Sequence, residues 1–115
     1  MKELSVPLSA AEIDPILDFA DRALVQQHIL TAPRLCLLAA VEELLFTVLA
    51  SGQTGHVRCM PDGSGGVRLS FQTGRDPLPP TWEEPDLPMG LSFLREGSTY
   101  TLAPGPDVPA LLPNV

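Results

Sequence analysis

Two features of the sequence could support chemistry, and the first is a pair of adjacent carboxylates, Glu42 and Glu43, within an apolar stretch that runs from Leu35 to Leu49. An ionised carboxylate that is buried without a partner is costly in free energy. At least one of the two side chains must therefore reach a cleft, a partner or the solvent. The pair marks a functional site in the first two cases and a solvated helix edge in the third.

The second feature is the pair His56 and Cys59, which has the H-x-x-C spacing of metal ligands. A structural metal site needs four ligands, and the sequence offers no second pair at a suitable spacing. The chain has one further cysteine, Cys36, and two cysteines make no disulfide framework. We therefore expect free thiols in a reducing compartment.

Length and charge restrict the classes of function. A chain of 115 residues suits one domain, which we place at residues 1–102, followed by a proline-rich tail at 103–115. The formal net charge of −7 disfavours binding to nucleic acid, because that affinity comes largely from Lys and Arg. The sequence shows neither the apolar core of a signal peptide nor a run of about 18 apolar residues. We expect a cytoplasmic protein that does not enter the membrane.

The first elements are indicated by the spacing of their apolar residues. Alternation over residues 4–8 predicts a half-buried edge strand. Apolar residues at three- and four-residue steps then predict a helix that reaches about Gln27. Its start is open, because Ser9–Glu12 has the spacing of a capping box, whereas Asp14 as the cap would put Pro15 at the favoured first helical position.

A second helix, starting near Thr31 and Pro33, is apolar around most of its circumference, which is typical of a buried central helix. Its apolar residues form two stripes that could face a sheet and a neighbouring helix: Leu35, Leu38, Leu45 and Leu49 in one, and Leu37, Val41, Leu44 and Val48 in the other.

The second half of the chain is predicted to be mainly β structure. Segments 56–60 and 67–72 alternate around a glycine-rich turn and predict a hairpin. Five prolines in 76–88 exclude a regular helix or central strand there. We expect one or two helical turns over 90–96 and a last strand over 98–102.

This order of elements resembles that of the anti-sigma factor serine-kinase family, a branch of the histidine-kinase-like ATPase fold. The family's second helix carries a pattern close to A-V-x-E-x-x-x-N-x-x-x-H-G, and residues 40–52, A-V-E-E-L-L-F-T-V-L-A-S-G, align with it without a gap. The family's D-x-G falls on residues 72–74, its lid on 75–89 and its G-x-G on 90–92. The resemblance implies an α+β two-layer sandwich, with helices on one face of a mixed, mostly antiparallel sheet.

The resemblance also implies roles for particular residues. Glu43 matches the glutamate that acts as general base. Thr47 replaces an asparagine that coordinates magnesium and would be a weak ligand, and Gln72 replaces the aspartate that accepts from the adenine amino group. The implied ATP-binding set is Thr47, Gln72, Gly74, Gly90 and Ser92, with Ser92 in place of the second glycine of G-x-G.

Three functions are consistent with these residues. The first is a regulatory, protein-binding relative of anti-sigma factors in which the ATP site is degenerate, so that binding of ATP and magnesium is doubtful. Its implied partners are a sigma factor or an anti-anti-sigma-like regulator, bound near the lid, and a second copy of the chain, bound through the first strand or helix. The others are an active serine/threonine protein kinase and an unrelated α+β binding domain. The first two functions, the degenerate regulator and the active kinase, require Glu43 and Gly74 to converge on one pocket.

Overall fold

The order of elements comes from a computed structural model that describes residues 3–63, 65–73 and 91–105. These residues form five strands and two α-helices: β1 Leu4–Pro7, α1 Ile13–Gln26, α2 Thr31–Ala50, β2 Gly55–Asp62, β3 Gly66–Thr73, β4 Leu91–Glu96 and β5 Thr99–Pro104. The predicted lid, 75–89, and the tail beyond residue 105 lie outside the described residues.

The five strands form one open sheet in the order β1-β2-β3-β5-β4, and every pairing is antiparallel. Helix α1 contacts β2 and β3, and α2 contacts β5 and β4. The predicted α+β class, with helices packed against a sheet, is confirmed. Two of the four pairings, β2 with β3 and β4 with β5, join strands that follow each other through a short turn, and such hairpins are antiparallel.

The core lies between the helices and one face of the sheet. Along β3 the buried residues Val67, Leu69 and Phe71 alternate with Arg68, Ser70 and Gln72, so the first three face the helices. The rings of Phe71 and Tyr100 meet edge to face at 5.6 Å between centroids. The helices contribute mainly Ile16, Ala20, Leu24, Leu37, Val41, Leu44, Leu45 and Val48.

The start of α1 differs from both predicted capping schemes. Ser9 makes no side-chain capping bond and precedes a 3₁₀ turn, Ala10–Glu12, and the residue that precedes α1 is Glu12 rather than Asp14. Pro15 is the third residue of the helix. It is tolerated there because the first backbone N–H groups of a helix have no intrahelical acceptor.

One side chain ties the end of α1 to the sheet. The amide of Gln27 donates to the carbonyl of Gly66 at 2.9 Å and accepts from the Gly66 N–H at 2.7 Å. Both backbone groups of a strand residue are thereby satisfied by one side chain from the helical layer. This amide clamp sets the position of α1 over β3.

The predicted helical turns over 90–96 are wrong for residues 91–96, which form the edge strand β4. It turns at Gly97, which has φ of +62°, and pairs with β5. The Phe93 ring lies 5.9 Å from the Tyr100 ring, and the Arg95 guanidinium lies 5.6 Å from the centroid of the same ring. Period-two packing against a buried tyrosine therefore overrides the weak helical pattern.

Candidate functional site

Both carboxylates of α2 are exposed to solvent, so solvation removes the cost of burial that made them notable. Thr47 lies one turn after Glu43, and its hydroxyl donates to the Glu43 carbonyl oxygen at 2.8 Å. Among the predicted site residues that the structure describes, these two lie close together. A carboxylate and a hydroxyl on adjacent turns could contact a polar group of a ligand, but the hydroxyl hydrogen is already used within the helix.

The other described residues of the predicted ATP set lie on the far side of the sheet. Gln72 is exposed and alternates with Phe71, which faces the helices. Ser92 is likewise exposed between two residues that pack against the core, Leu91 and Phe93. Because α2 covers the opposite face, neither side chain points toward Glu43.

The predicted glycines of the site, Gly74 and Gly90, lie outside the described residues. The expected convergence of Glu43 and Gly74 thus stays a prediction. Ser92, which falls on the second glycine of the family's G-x-G, lies inside β4 rather than in the expected helical turns. A strand residue lacks the row of free N–H groups with which a helix start binds anions.

The H-x-x-C pair does not form a metal site. His56 is exposed, whereas Cys59 is buried among the core residues that face the helices. The two side chains therefore lie on opposite faces of β2, and burial raises the pKa of the Cys59 thiol to about 12. Over the described ranges 3–63, 65–73 and 91–105, no group of three or more His, Cys, Asp or Glu could hold a metal ion.

An apolar stripe on the outer side of α2 is a surface feature that the sequence pattern did not reveal. Leu35 is 57% exposed and Phe46 is 53% exposed, and Ala39 between them is also exposed. At about 100° and 1.5 Å per residue, Leu35 and Phe46 point within about 20° of each other and lie about 16 Å apart. We call Leu35, Ala39 and Phe46 the outer stripe.

The outer stripe was missed because α2 is apolar on both sides. The pattern put Leu35 in a buried stripe with Leu45, but Leu45 is fully buried and Leu35 faces solvent. The apolar side of a helix normally packs against another element of the same chain or against a partner. In the part of the chain that the structure describes, no helix has the length and apolar character needed to span a membrane.

The face of the sheet away from the helices carries an open concavity of about 460 Å³. The buried carboxylate of Asp62 accepts from the Arg68 guanidinium at 2.7 Å, and this ion pair lies at the wall. The charges of these two groups offset each other. The remaining lining residues are Leu94, Glu96, Thr99 and Thr101.

Comparison with known proteins adds no relative. No family model matches the chain, and no curated protein or solved structure is significantly similar to it. The resemblance to anti-sigma serine kinases thus depends on the match over residues 40–52 and on the element order, in which β4 takes the place of the expected short helix.

Proposed function

We propose that the chain is a regulatory protein-binding domain that resembles an anti-sigma factor and has a degenerate ATP site. The observation that carries this proposal is the outer stripe. Its two large apolar side chains are about half exposed on the outward side of α2, where a helix of a self-sufficient monomer usually carries polar residues. Aligned on one side of a helix, these side chains form a candidate site of contact with another protein.

The loss of nucleotide chemistry is supported by the replaced residues and their positions. Thr47 and Gln72 stand where the family has asparagine and aspartate, and Gln72 and Ser92 lie on the face of the sheet away from α2. Clamping of a triphosphate depends on magnesium ligands and phosphate-binding amides held in one place. A protein that acts by binding alone needs neither.

The resemblance suggests the setting in which such a regulator works. Its partner would be a sigma factor or an anti-anti-sigma-like regulator, and the chain would form a homodimer in the cytoplasm. Cys36 and Cys59 are free thiols, in keeping with a reducing compartment.

Site-specific photo-crosslinking in cells of the source organism tests protein binding at the outer stripe. A benzophenone amino acid at position 46 is expected to give a protein adduct, because this position lies in the stripe. The matched control is position 94, since Leu94 is 51% exposed but lies on the other face of the sheet. The adduct should disappear in Leu35→Ser. Equal yields at the two positions, or none at position 46, would contradict the proposal.

Titration of the full chain with ATP and magnesium tests the degenerate site. We expect no heat of binding by calorimetry and no phosphate transfer to protein. Micromolar ATP affinity with transfer that Glu43→Gln abolishes would instead establish the kinase alternative, in which Glu43 is the general base.

A further inference from the structure

The charges beside the outer stripe restrict the class of partner. Viewed along α2, Glu42 points about 40° to one side of Phe46 and Glu43 about 60° to the other, at about 100° per residue. The exposed residues of α2 include no cation. The two arginines of the helices are each paired with a carboxylate, Arg34 with Asp21 at 3.1 Å and Arg22 with Asp18 at 2.9 Å. Glu42 also points within about 20° of Leu35, so the stripe is an apolar strip that carries one carboxylate close to its axis and another, Glu43, at its edge.

The shape of the stripe favours a helical occupant. It runs straight for about three turns, and the small Ala39 at its middle permits close approach of another helix. A helix face presents side chains and no free backbone donors or acceptors. An extended segment lying on it would find no backbone partners there and would depend on water for its hydrogen bonds, whereas a helix brings its backbone groups already paired.

A second copy of the chain is a poorer occupant for electrostatic reasons. Two copies related by a two-fold axis through the middle of the stripe would bring the same residues together. Glu42 and Glu43 lie within one turn of that middle, so four carboxylates would meet at the centre of the contact. Like charges at such distances oppose association.

We infer that the outer stripe binds an amphipathic helix of another protein, whose apolar side is flanked by Lys or Arg. This rests on the proposed function and names its partner class. Three turns of contact correspond to a helix of at least about 11 residues, with apolar anchors at three- and four-residue spacing over Leu35 and Phe46. The flanking cations meet Glu42 and Glu43, and the overall charge of −7 steers them to the protein.

The experiment is a selection of ligands from a displayed library of helix-favouring peptides of about 18 residues. The full chain is the target, and the double variant Leu35→Ala/Phe46→Ala serves for counter-selection. Circular dichroism and urea unfolding verify that this variant is folded. We expect enrichment of peptides with apolar residues at three- and four-residue spacing and Lys or Arg on both sides.

Fluorescence anisotropy of a selected peptide then measures how much each side chain contributes to its affinity. Phe46→Ala is expected to weaken binding by about tenfold or more, and Glu42→Gln/Glu43→Gln by about three- to tenfold, with the greater effect at low salt. The matched control Leu94→Ala, an equally exposed apolar residue on the other face, should leave affinity unchanged.

Each contrary result has a definite meaning. No peptide that distinguishes the native chain from the double variant would overturn both this inference and the proposed function. Peptides that need Phe46 but are acidic or extended, or that bind Glu42→Gln/Glu43→Gln equally well, would overturn the inference and leave protein binding in place. A concentration-dependent dimer that Phe46→Ala dissociates, seen by light scattering, would also overturn it by identifying a second copy as the occupant.

Discussion

The amide clamp between Gln27 and Gly66 leads to a quantitative prediction about what holds the two layers together. Gln27→Ala removes two hydrogen bonds, of 2.9 and 2.7 Å, in a partly buried position. It also leaves the N–H and carbonyl of Gly66 without these side-chain partners. We expect the free energy of unfolding to fall for both reasons.

The size of the effect follows from the number of bonds. A hydrogen bond in a protein contributes about 0.5–1.5 kcal/mol net, so the loss of two should lower the free energy of unfolding by about 1–3 kcal/mol. In a domain of this size, each kcal/mol corresponds to roughly 4 °C in Tm. The expected decrease in Tm is therefore about 4–12 °C.

Urea unfolding followed by circular dichroism, with a thermal scan, measures this change. The matched control is Gln26→Ala, because Gln26 is the exposed neighbour and its replacement should alter stability by less than about 0.5 kcal/mol. Gln27→Met keeps the length of the side chain but lacks the amide. If Gln27→Met were as stable as the native chain, or if Gln26→Ala lost as much stability as Gln27→Ala, the hydrogen-bond explanation would be refuted.

Three further predictions concern stability. Leu45→Ala should lower the free energy of unfolding by about 2–5 kcal/mol, because Leu45 is fully buried. Phe46→Ala should lower it by no more than about 1 kcal/mol. Equal losses in urea unfolding would mean that the outer stripe is packed within the chain. Burial raises the pKa of Cys59 from 9.0 to about 12, so the thiol of the unfolded chain loses its proton first as the pH rises. The free energy of unfolding should therefore fall between pH 9 and 12, by at most about 1.4 kcal/mol per pH unit. Cys59→Ala should remove that part of the pH dependence. Gly66→Ala should lower the free energy of unfolding by more than about 1 kcal/mol, because the φ of Gly66 is +148° and a Cβ would collide with a carbonyl of β5. Gly63→Ala should not, because a Cβ there would meet open space. Similar thermal scans of the two variants would contradict this prediction.

The elements predicted well from the sequence are those with strong local periodicity. The hairpin of β2 and β3 was predicted because each strand alternates around a glycine-rich turn, and α1 and α2 were predicted because their apolar residues recur at helical spacing. The prediction of α2 as a buried central helix was only partly right, because one side of it faces solvent. Large apolar residues occur on both of its sides, so apolar periodicity alone does not tell which of these residues meet solvent.

The candidate site was less predictable because its residues depend on contacts far apart in the sequence. Glu43 and Thr47 share a helix side by spacing alone, which the sequence contains. The face on which Gln72 and Ser92 lie depends on which side of the sheet the helices cover. The contribution of Gly74 and Gly90 lies outside the described residues.

The sequence alone was enough to establish that this protein has two helices, a central hairpin and a net negative charge. The spacing of apolar residues is a local property of the chain, and the net charge follows from composition. Tertiary structure alone decided that 91–96 forms a strand, because the segment gains more by pairing with β5 and packing on Tyr100 than by a short isolated helix. It also decided that Leu35 and Phe46 face outward. Only the positions of α1 and the sheet, which occupy the other side of α2, distinguish the exposed outer stripe from the buried core.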